Sequence, residues 1–372
     1  MPVPRLTNNE KKLDNLHWPL VLSTALVCGL GLWNLASATR GAVSPLSLQQ
    51  GRAMVIGAVA IAAFLFVDYR WLQALAWPGY FAALGLLVAV ATVGKKVLGA
   101  RRWLQLGPVQ LQPSEFLKVA VIVLLARWFT QDEVGVQKGH YSLRDLFWPF
   151  LLVLLPVALV MKQPDLGTAL VTLFVAMTMI LFAKVRLRDL FMLAVVVTGA
   201  SIFAWFKLLK PYQKDRIFTF INPQAYAKTQ GYHAIQSVIA VGSGKLTGKG
   251  WGEGTQNQLR FLPEQHTDFI FSVWAEEHGF LLSALLVALY AFIVLVALDI
   301  AANARDKFGS FLCIGVAGLF FWHTFINIGM VTGVLPVVGV PLPLFSYGGS
   351  SVIVDLLGIG VLLNVSLRRF MF

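Results

Sequence analysis

Long apolar runs dominate this chain, and most of them are separated by short polar connections. A helix needs about 20 predominantly apolar residues to cross the hydrocarbon core of a bilayer. The runs here reach or approach that length, and the second, fourth and fifth are the shortest. They predict ten transmembrane helices, over residues 17–38, 52–67, 71–92, 114–130, 146–161, 166–184, 189–208, 268–298, 308–333 and 350–367.

The composition agrees with this pattern. Hydrophobic residues make up 57% of the 372 residues and charged residues 13%, whereas soluble domains average about 25% charged residues. The mean hydropathy is +0.72. The two cysteines, Cys28 and Cys313, lie in separate apolar runs and offer neither a disulfide framework nor a metal motif. The sequence therefore predicts an all-α polytopic membrane protein.

Two connections depart from short loops. Cytoplasmic loops carry an excess of Lys and Arg, and by this rule both termini are cytoplasmic. The long connection 209–267, between the seventh and eighth helices, is then a large extracytoplasmic loop, and "GYHAIQSVIAVGSG" within it predicts an amphipathic interfacial or re-entrant helix. The segment "GVLPVVGVPLPLFSYGGSS" at 333–351 is too rich in proline and glycine for a regular span. It predicts a re-entrant loop before the tenth helix, since irregular backbone at membrane depth must be buried in protein or line water.

Acidic residues are scarce, 18 in the whole chain, yet several gather in "FLPEQHTDFIFSVWAEEHGF" at 261–280. Asp268 begins the apolar run there, and helical periodicity places it on one stripe with Glu276. A surface acid can be a helix cap, but an acid with further acids on the same helix favours a polar cavity wall. We therefore interpret Asp268 as functional and Glu276 and Glu277 as structural hydrogen-bonding groups.

Basic residues on the predicted outer side suggest a cationic rim. Guanidinium groups, ammonium groups and glycine-turn amides bind phosphate well, so the rim is a candidate site for an anionic lipid substrate. Contact with phospholipid headgroups is the alternative for any one of these residues. The rim consists of Lys95, Lys96, Arg101, Arg102, Lys245 and Lys249.

Three further polar groups stand at predicted helix starts. Glu115 and Lys118 are spaced i, i+3 in "QPSEFLK" and can pair on one helix face; they form either a helix-end ion pair or part of a cavity lining. Asp165 in "KQPDLGTAL" is either a helix cap or a site residue. Ser346 and Tyr347, beside two glycine amides in the Pro/Gly segment, offer polar contacts to a ligand.

Several segments together resemble the SEDS family, the shape, elongation, division and sporulation proteins. They are "GARRWLQLGPVQLQPSEFLK", "QPDLGTA", "DRIFTFINP", "GYHAIQSVIAVGSGKLTGKGWGEGTQNQLRFLPEQHTDFIF" and "GVLPVVGVPLPLFSYGGSS", and they run through nearly the whole chain. The filling of the last two is most similar to RodA-like, elongation-type members. Two positions depart from that pattern. Gln265 stands where the family usually has a basic residue, so a phosphate contact there is either absent or made by a neighbour such as Arg260. Asp355 is also unusual at its place.

The resemblance implies one SEDS-type transmembrane domain over 1–372. It implies a peptidoglycan glycosyltransferase that polymerises lipid II during cell elongation, at the outer face of a bacterial inner membrane. The family's essential acid in the "HTDF" motif corresponds to Asp268, and His266 and Thr267 beside it become candidate substrate contacts. Implied partners are a class B penicillin-binding protein and other elongation-complex proteins; nucleic acid is not among them.

The residue chemistry agrees with this activity. A positioned carboxylate can act as general base on the acceptor hydroxyl, and a pyrophosphate leaving group needs positive charge. That charge can come from the basic rim and from a divalent cation, Mg²⁺ or Mn²⁺, with Asp268 as a candidate ligand; no organic cofactor is expected. The alternatives are a lipid II flippase, which needs polar groups through the full membrane depth, and a non-catalytic scaffold for cell-wall enzymes.

Overall fold

The computed structural model shows a bundle of helices with a small sheet and a non-helical Pro/Gly segment. It describes residues 16–39, 44–97, 100–106, 109–132, 140–207, 209, 211–227, 230–259, 261–262 and 264–369. Arg260, the proposed neighbour of Gln265, lies outside these residues.

Each of the predicted transmembrane runs coincides with a helix. Seven of the described helices are long and apolar enough to cross a membrane, and two more are apolar but shorter, so the chain is a multi-pass membrane protein. The remaining helix, at the fourth predicted run, is less apolar because it carries three charged residues, Glu115, Lys118 and Arg127. These helices are α1 Trp18–Ala38, α2 Pro45–Phe66, α3 Trp71–Val93, α4 Pro113–Gln131, α5 Phe147–Lys162, α6 Leu166–Phe182, α7 Leu187–Lys207, α11 Ile270–Ala302, α12 Lys307–Val331 and α13 Gly349–Arg368.

Between α3 and α4 the chain forms a small antiparallel sheet. Its strands are β1 Lys95–Val97, β2 Ala100–Leu106 and β3 Val109–Leu111, in the order β1-β2-β3. The sequence pattern predicts only a loop here. Its use is positional, because β2 carries Arg102 toward the start of α6, where its guanidinium donates to the carbonyls of Gln163 and Pro164.

The long connection after α7 is largely helical. It contains α8 Pro211–Ile221, a 3₁₀ turn Pro223–Tyr226, α9 Gln230–Ser243 and the short α10 Thr255–Gln258. The predicted helix in "GYHAIQSVIAVGSG" is therefore confirmed as α9. It is fixed to the bundle by Ser237, whose hydroxyl lies 2.8 Å from the hydroxyl of Ser272 and donates to Val331 O at 2.8 Å.

Helix α11 differs from the regular eighth helix that the sequence predicts. It begins at Ile270, so Asp268 precedes it, and it is broken at Gly279, where φ is 71° and ψ is −171°. The amides of Phe280 and Leu281 donate instead to the carbonyls of Lys245 and Leu246, at 2.8 and 3.1 Å. The glycine- and lysine-rich loop thus satisfies the backbone groups that the break releases.

The Pro/Gly segment is non-helical from Gly333 to Tyr347, as predicted. Its central side chains are buried, including Val340, Leu342, Leu344 and Phe345. The segment packs closely against α1, because a Cβ on Gly31 would stand 2.8 Å from the α-carbon of Phe345.

Candidate functional site

Asp268 lies in a tight turn at the entrance to α11. The amides of Thr267 and Phe269 both donate to the carbonyl of Glu264, at 3.1 and 3.4 Å, and these bonds close the turn. Gln265 ties the turn to the end of α1 through a 2.9 Å bond from its Nε2 to Ala38 O. The residue that departs from the family pattern therefore makes a structural contact in this chain.

The Pro/Gly segment also contacts the turn around Asp268, through hydrogen bonds to its backbone carbonyls. Ser346 Oγ donates to Thr267 O at 2.7 Å, and the amide of Tyr347 donates to His266 O at 2.9 Å. The rings of His266 and Tyr347 lie 5.7 Å apart between centroids. Ser346 and Tyr347, predicted as ligand contacts, thus support the backbone of the two residues that precede Asp268.

Two residues that the sequence analysis did not single out fix Asp268 itself. Asn327 of α12 donates from Nδ2 to Asp268 O at 3.0 Å and to Val340 O at 2.7 Å, so one side chain joins the acid to the Pro/Gly segment. Gly339 lies directly against the carboxylate, because a Cβ on Gly339 would stand 3.2 Å from Asp268 Oδ2. Its φ of +76° also favours glycine.

Electrostatics at Asp268 are set by burial and four charged neighbours. Burial raises the pKa of Asp268 to about 6; the carboxylates of Glu264 and Asp165 add to the rise, and Arg216 and Arg102 oppose it. Within the described part of the chain, no group donates a hydrogen bond to this carboxylate. Asp268 is therefore a half-buried acid that ionises near neutral pH and is available to a ligand.

Arg102 and Asp165 reach the site through the start of α6. Asp165 caps that helix, since its side chain accepts from the amide and hydroxyl of Thr168 at 3.3 and 3.0 Å. It also accepts from Gln112 Nε2 at 3.2 Å. The first turn of α6 also lies close to the Pro/Gly segment, because a Cβ added to Gly167 would stand 2.6 Å from Gly339 O. Asp165 therefore caps α6 and also lies close enough to Asp268 to act on it electrostatically.

Arg216 of α8 is the second cation at Asp268, and its Nη1 donates to Val338 O at 3.1 Å. The sequence signal for it was the segment "DRIFTFINP", which carried the family resemblance without a role for this arginine. Asn327 gave no signal beyond being a polar residue in an apolar run. Gly339 stood among several glycines with nothing to distinguish it.

Other predicted rim residues lie elsewhere. Arg101 is exposed and donates to Thr92 O at 2.9 Å, at the end of α3. Lys249 donates to the fully buried Glu276 Oε1 at 2.6 Å and to Thr255 Oγ1 at 2.9 Å. Lys245 is exposed beside the break in α11. Lys249 is thus tied to a separate acid, and Glu276 has the structural hydrogen bonds that the sequence analysis assigned to it.

Glu115 and Lys118 form the predicted ion pair, at 2.9 Å and buried on both sides. Lys118 Nζ also lies 2.8 Å from His323 Nε2, and His323 Nδ1 lies 3.2 Å from Pro341 O. With Nδ1–H donating to that carbonyl, Nε2 is free to accept from the ammonium group. The pair therefore acts on the Pro/Gly segment through His323, and it is not among the charges that act on Asp268.

The described residues contain no cluster of three or more His, Cys, Asp or Glu that could hold a metal ion by themselves. Magnesium, however, is usually bound by one or two carboxylates together with substrate phosphates. Asp268 offers one uncommitted carboxylate, whereas the oxygens of Asp165 are used in capping. The residues present fit a cation that the substrate's phosphates help to bind.

The fold and this site define a polytopic helical membrane protein with one acid, Asp268, that is subject to the charges of two arginines. The FtsW/RodA/SpoVE cell cycle protein family model matches residues 19–370. The chain belongs to this family.

Two curated relatives show how similar the chain is to other members. It is 42% identical to the peptidoglycan glycosyltransferase MrdB of Escherichia coli over 292 residues, which are 78% of each protein. It is 38% identical to the stage V sporulation protein E of Bacillus subtilis over 316 residues, 84% of each.

Solved structures agree with these relatives. A chain of a peptidoglycan synthase complex that coordinates polymerization and crosslinking superposes with a TM-score of 0.82 at 33% identity, covering 96% of this chain and 99% of that one. The rod shape determining protein RodA of Thermus thermophilus superposes with a TM-score of 0.71 at 32% identity, covering 96% and 98%.

Proposed function

We propose that the chain is a peptidoglycan glycosyltransferase that polymerises lipid II into glycan strands during cell elongation. The observation that carries the proposal is the Asp268 carboxylate. It is half-buried, its pKa is raised to about 6, and Arg102 and Arg216 act on it from two other elements. A base that ionises near neutral pH beside two cations matches the two needs of glycosyl transfer from a diphosphate.

The proton step uses Asp268 as general base. As the acceptor hydroxyl oxygen forms its bond to the anomeric carbon of the donor sugar, its proton passes to the carboxylate. The bond from that carbon to the phosphate oxygen breaks, and its electron pair leaves with the undecaprenyl diphosphate. The raised pKa of Asp268 suits this transfer, because a general base works best when its pKa lies near the working pH.

The leaving diphosphate needs positive charge rather than a second acid. Arg102 and Arg216 can supply it, and guanidinium groups hold phosphate oxygens in pairs. Both arginines already donate to backbone carbonyls, Arg102 to Gln163 and Arg216 to Val338, which fixes them in place. A divalent cation, Mg²⁺ or Mn²⁺, would add charge neutralisation at the diphosphate when bound, with Asp268 as its protein ligand.

The proposal extends to location and partner. With both termini in the cytoplasm of a bacterial inner membrane, the turn around Asp268 faces the outside, where the glycan is assembled. The similarity to a chain from a peptidoglycan synthase complex supports a class B penicillin-binding protein as partner. A flippase is not favoured, because Glu115 and Lys118, which are buried near the start of α4, are paired with each other.

The test is a polymerisation assay with purified protein in detergent, lipid II and Mg²⁺ or Mn²⁺, with and without the partner. Detergent removes the two compartments, so a flippase yields no product, whereas a polymerase yields glycan strands. Glycan from the wild type is the expected result. Its absence under all of these conditions, with transport of lipid II in vesicles, would overturn the proposal.

A further inference from the structure

The Pro/Gly segment forms neither a helix nor a strand across Val340–Ser346, and four buried side chains from α2, α11 and α12 donate to its carbonyls. Asn327 donates to Val340 O at 2.7 Å, His323 to Pro341 O at 3.2 Å, and Tyr290 to Pro343 O at 2.7 Å. Gln50 donates to Ser346 O at 2.9 Å. The segment is therefore held in one conformation by side chains rather than by a regular fold.

Asp355 of α13 makes the contact at the most constrained point. Its Oδ2 accepts from the amide of Leu344 at 3.1 Å. Leu344 is a non-glycine residue with φ +62° and is fully buried. A branched residue in this left-handed region is strained and persists only where its surroundings determine it. The Leu344 amide is buried away from water and needs an acceptor within the protein. The carboxylate of Asp355, which is only 1% exposed, supplies that acceptor.

The turn that Asp355 fixes is the one that supports the acid. Ser346 N donates to Leu342 O at 2.9 Å, and Leu342 N donates to Ser346 Oγ at 2.8 Å, so these two residues close the turn around Leu344. The same Ser346 hydroxyl donates to Thr267 O at 2.7 Å. Thr267 immediately precedes Asp268. Three consecutive contacts thus connect Asp355 to the backbone of the proposed base.

We propose that Asp355 is a positioning residue for Asp268, which it holds through the Leu342–Ser346 turn and the Ser346 hydroxyl. This proposal rests on the proposed function, since it concerns how the base is placed for glycosyl transfer. The proposal gives a role to Asp355, the acid that departs from the family pattern at its position. The part that matters is the hydrogen-bond acceptor of its side chain.

The contacts around Asp355 indicate that its side chain acts as a hydrogen-bond acceptor and not through its negative charge. Lys118 and Glu115 both act electrostatically on Asp355, but Lys118 is already bonded to Glu115 and His323. The second oxygen of Asp355, Oδ1, has no partner among the described residues. Asparagine at this position keeps an acceptor for the Leu344 amide, whereas leucine removes it and leaves that amide buried without a partner.

Asn364 provides a matched control on the same helix. It is fully buried, and its Nδ2 donates to Phe64 O at 2.7 Å and Val67 O at 2.8 Å, far from the turn along α13. Asn364→Leu removes buried hydrogen bonds of the same helix without touching the Leu342–Ser346 turn. It therefore reports the general effect of destabilising α13.

The experiment compares full-length wild type, Asp355→Asn, Asp355→Leu and Asn364→Leu. It measures kcat and KM for lipid II, the thermal midpoint, and hydrogen exchange of peptides covering 340–348. We expect Asp355→Leu to lower kcat about ten-fold or more with KM within about two-fold, since misplacement by an ångström can cost more than that. It should also speed exchange in the peptide. Asp355→Asn and Asn364→Leu should keep kcat within about two-fold.

Three results would overturn the proposal: kcat of Asp355→Leu equal to that of the wild type, equal losses in Asp355→Asn and Asp355→Leu, or an equal loss in Asn364→Leu. Wild-type protein without any polymerase activity would contradict the proposed function instead. In that case the exchange measurement still decides whether Asp355 fixes the turn: unchanged exchange at 340–348 in Asp355→Leu would refute it.

Discussion

The Asp268 carboxylate rests against Gly339, at a point where the Pro/Gly segment has no side chain. A Cβ added to Gly339 would stand 3.2 Å from Asp268 Oδ2, and the backbone there has φ +76°. The segment therefore shapes the space around the acid as well as supporting its backbone.

Gly339→Ala should lower polymerase turnover about ten-fold or more, since the new methyl group displaces the carboxylate from its position. Gly252→Ala is the matched control, because Gly252 has the same φ of +76° with nothing within 4 Å of an added Cβ. Both substitutions should cost about 1–2 kcal/mol of backbone strain. The measurement is turnover beside the thermal midpoint for both variants. Equal turnover in the two would show that the contact with Asp268 has no catalytic consequence.

Arg102→Gln should move the acid limb of the pH–rate profile to higher pH, by up to about 1 unit. The reason is that the Arg102 guanidinium lowers the pKa of Asp268 against the effect of burial. Without it the base is protonated at a higher pH. Arg101→Gln is the control, since Arg101 is exposed and donates to Thr92 O. An acid limb that is unmoved in Arg102→Gln, or moved equally in Arg101→Gln, would contradict this electrostatic role.

The stability of the wild type should depend on pH with a definite sign. Burial raises the pKa of Asp268 from 3.8 to about 6, so the folded protein favours the protonated form. The resulting stabilisation is full below the unfolded value and is lost as the pH rises through about 6.

Asp268→Asn, which stays neutral, should therefore be more stable than the wild type at about pH 7.5, by about 1–3 kcal/mol. The difference should narrow toward about pH 5. Thermal melting of both proteins across this range measures it. A wild type that is the more stable of the two at neutral pH would refute the raised pKa.

Lys249→Met should destabilise the protein by about 3 kcal/mol, because it leaves the buried Glu276 without its cation. Lys249 Nζ lies 2.6 Å from Glu276 Oε1, and the Glu276 side chain is fully buried. Lys245→Met is the control, as Lys245 is exposed beside the same loop. The KM for lipid II in any folded Lys249→Met protein should stay within about two-fold. A large rise in KM at an unchanged thermal midpoint would instead support the phosphate-binding role predicted from the sequence.

The sequence predicted the helices because membrane spans are long apolar runs, and that signal is local. The sequence also indicated Asp268 as a candidate functional acid, because acids are rare in this chain and this one stands at the start of an apolar run. It predicted the wrong geometry for the eighth helix, since one glycine in an apolar pattern does not reveal a break. At Gly279 the backbone leaves the helix, and the loop containing Lys249 folds onto Glu276.

The neighbours of Asp268 could not be predicted in the same way. Arg216, Asn327 and Gly339 come from three separate elements, and only the packing of the bundle brings them together. Arg102 was predicted as part of a rim, but its partner at the start of α6 depends on the strand that carries it. The role of a charged residue here depends on tertiary contacts that no local pattern encodes.

The central claim is that Asp268 is the base for glycosyl transfer. The most direct measurement is the turnover of lipid II by purified wild type and Asp268→Asn at about pH 7.5, with the partner and a divalent cation present and the fold of each checked by thermal melting. We expect the folded Asp268→Asn protein to lose about 100-fold or more of the wild-type rate. A folded Asp268→Asn protein that polymerises lipid II at the wild-type rate would contradict it.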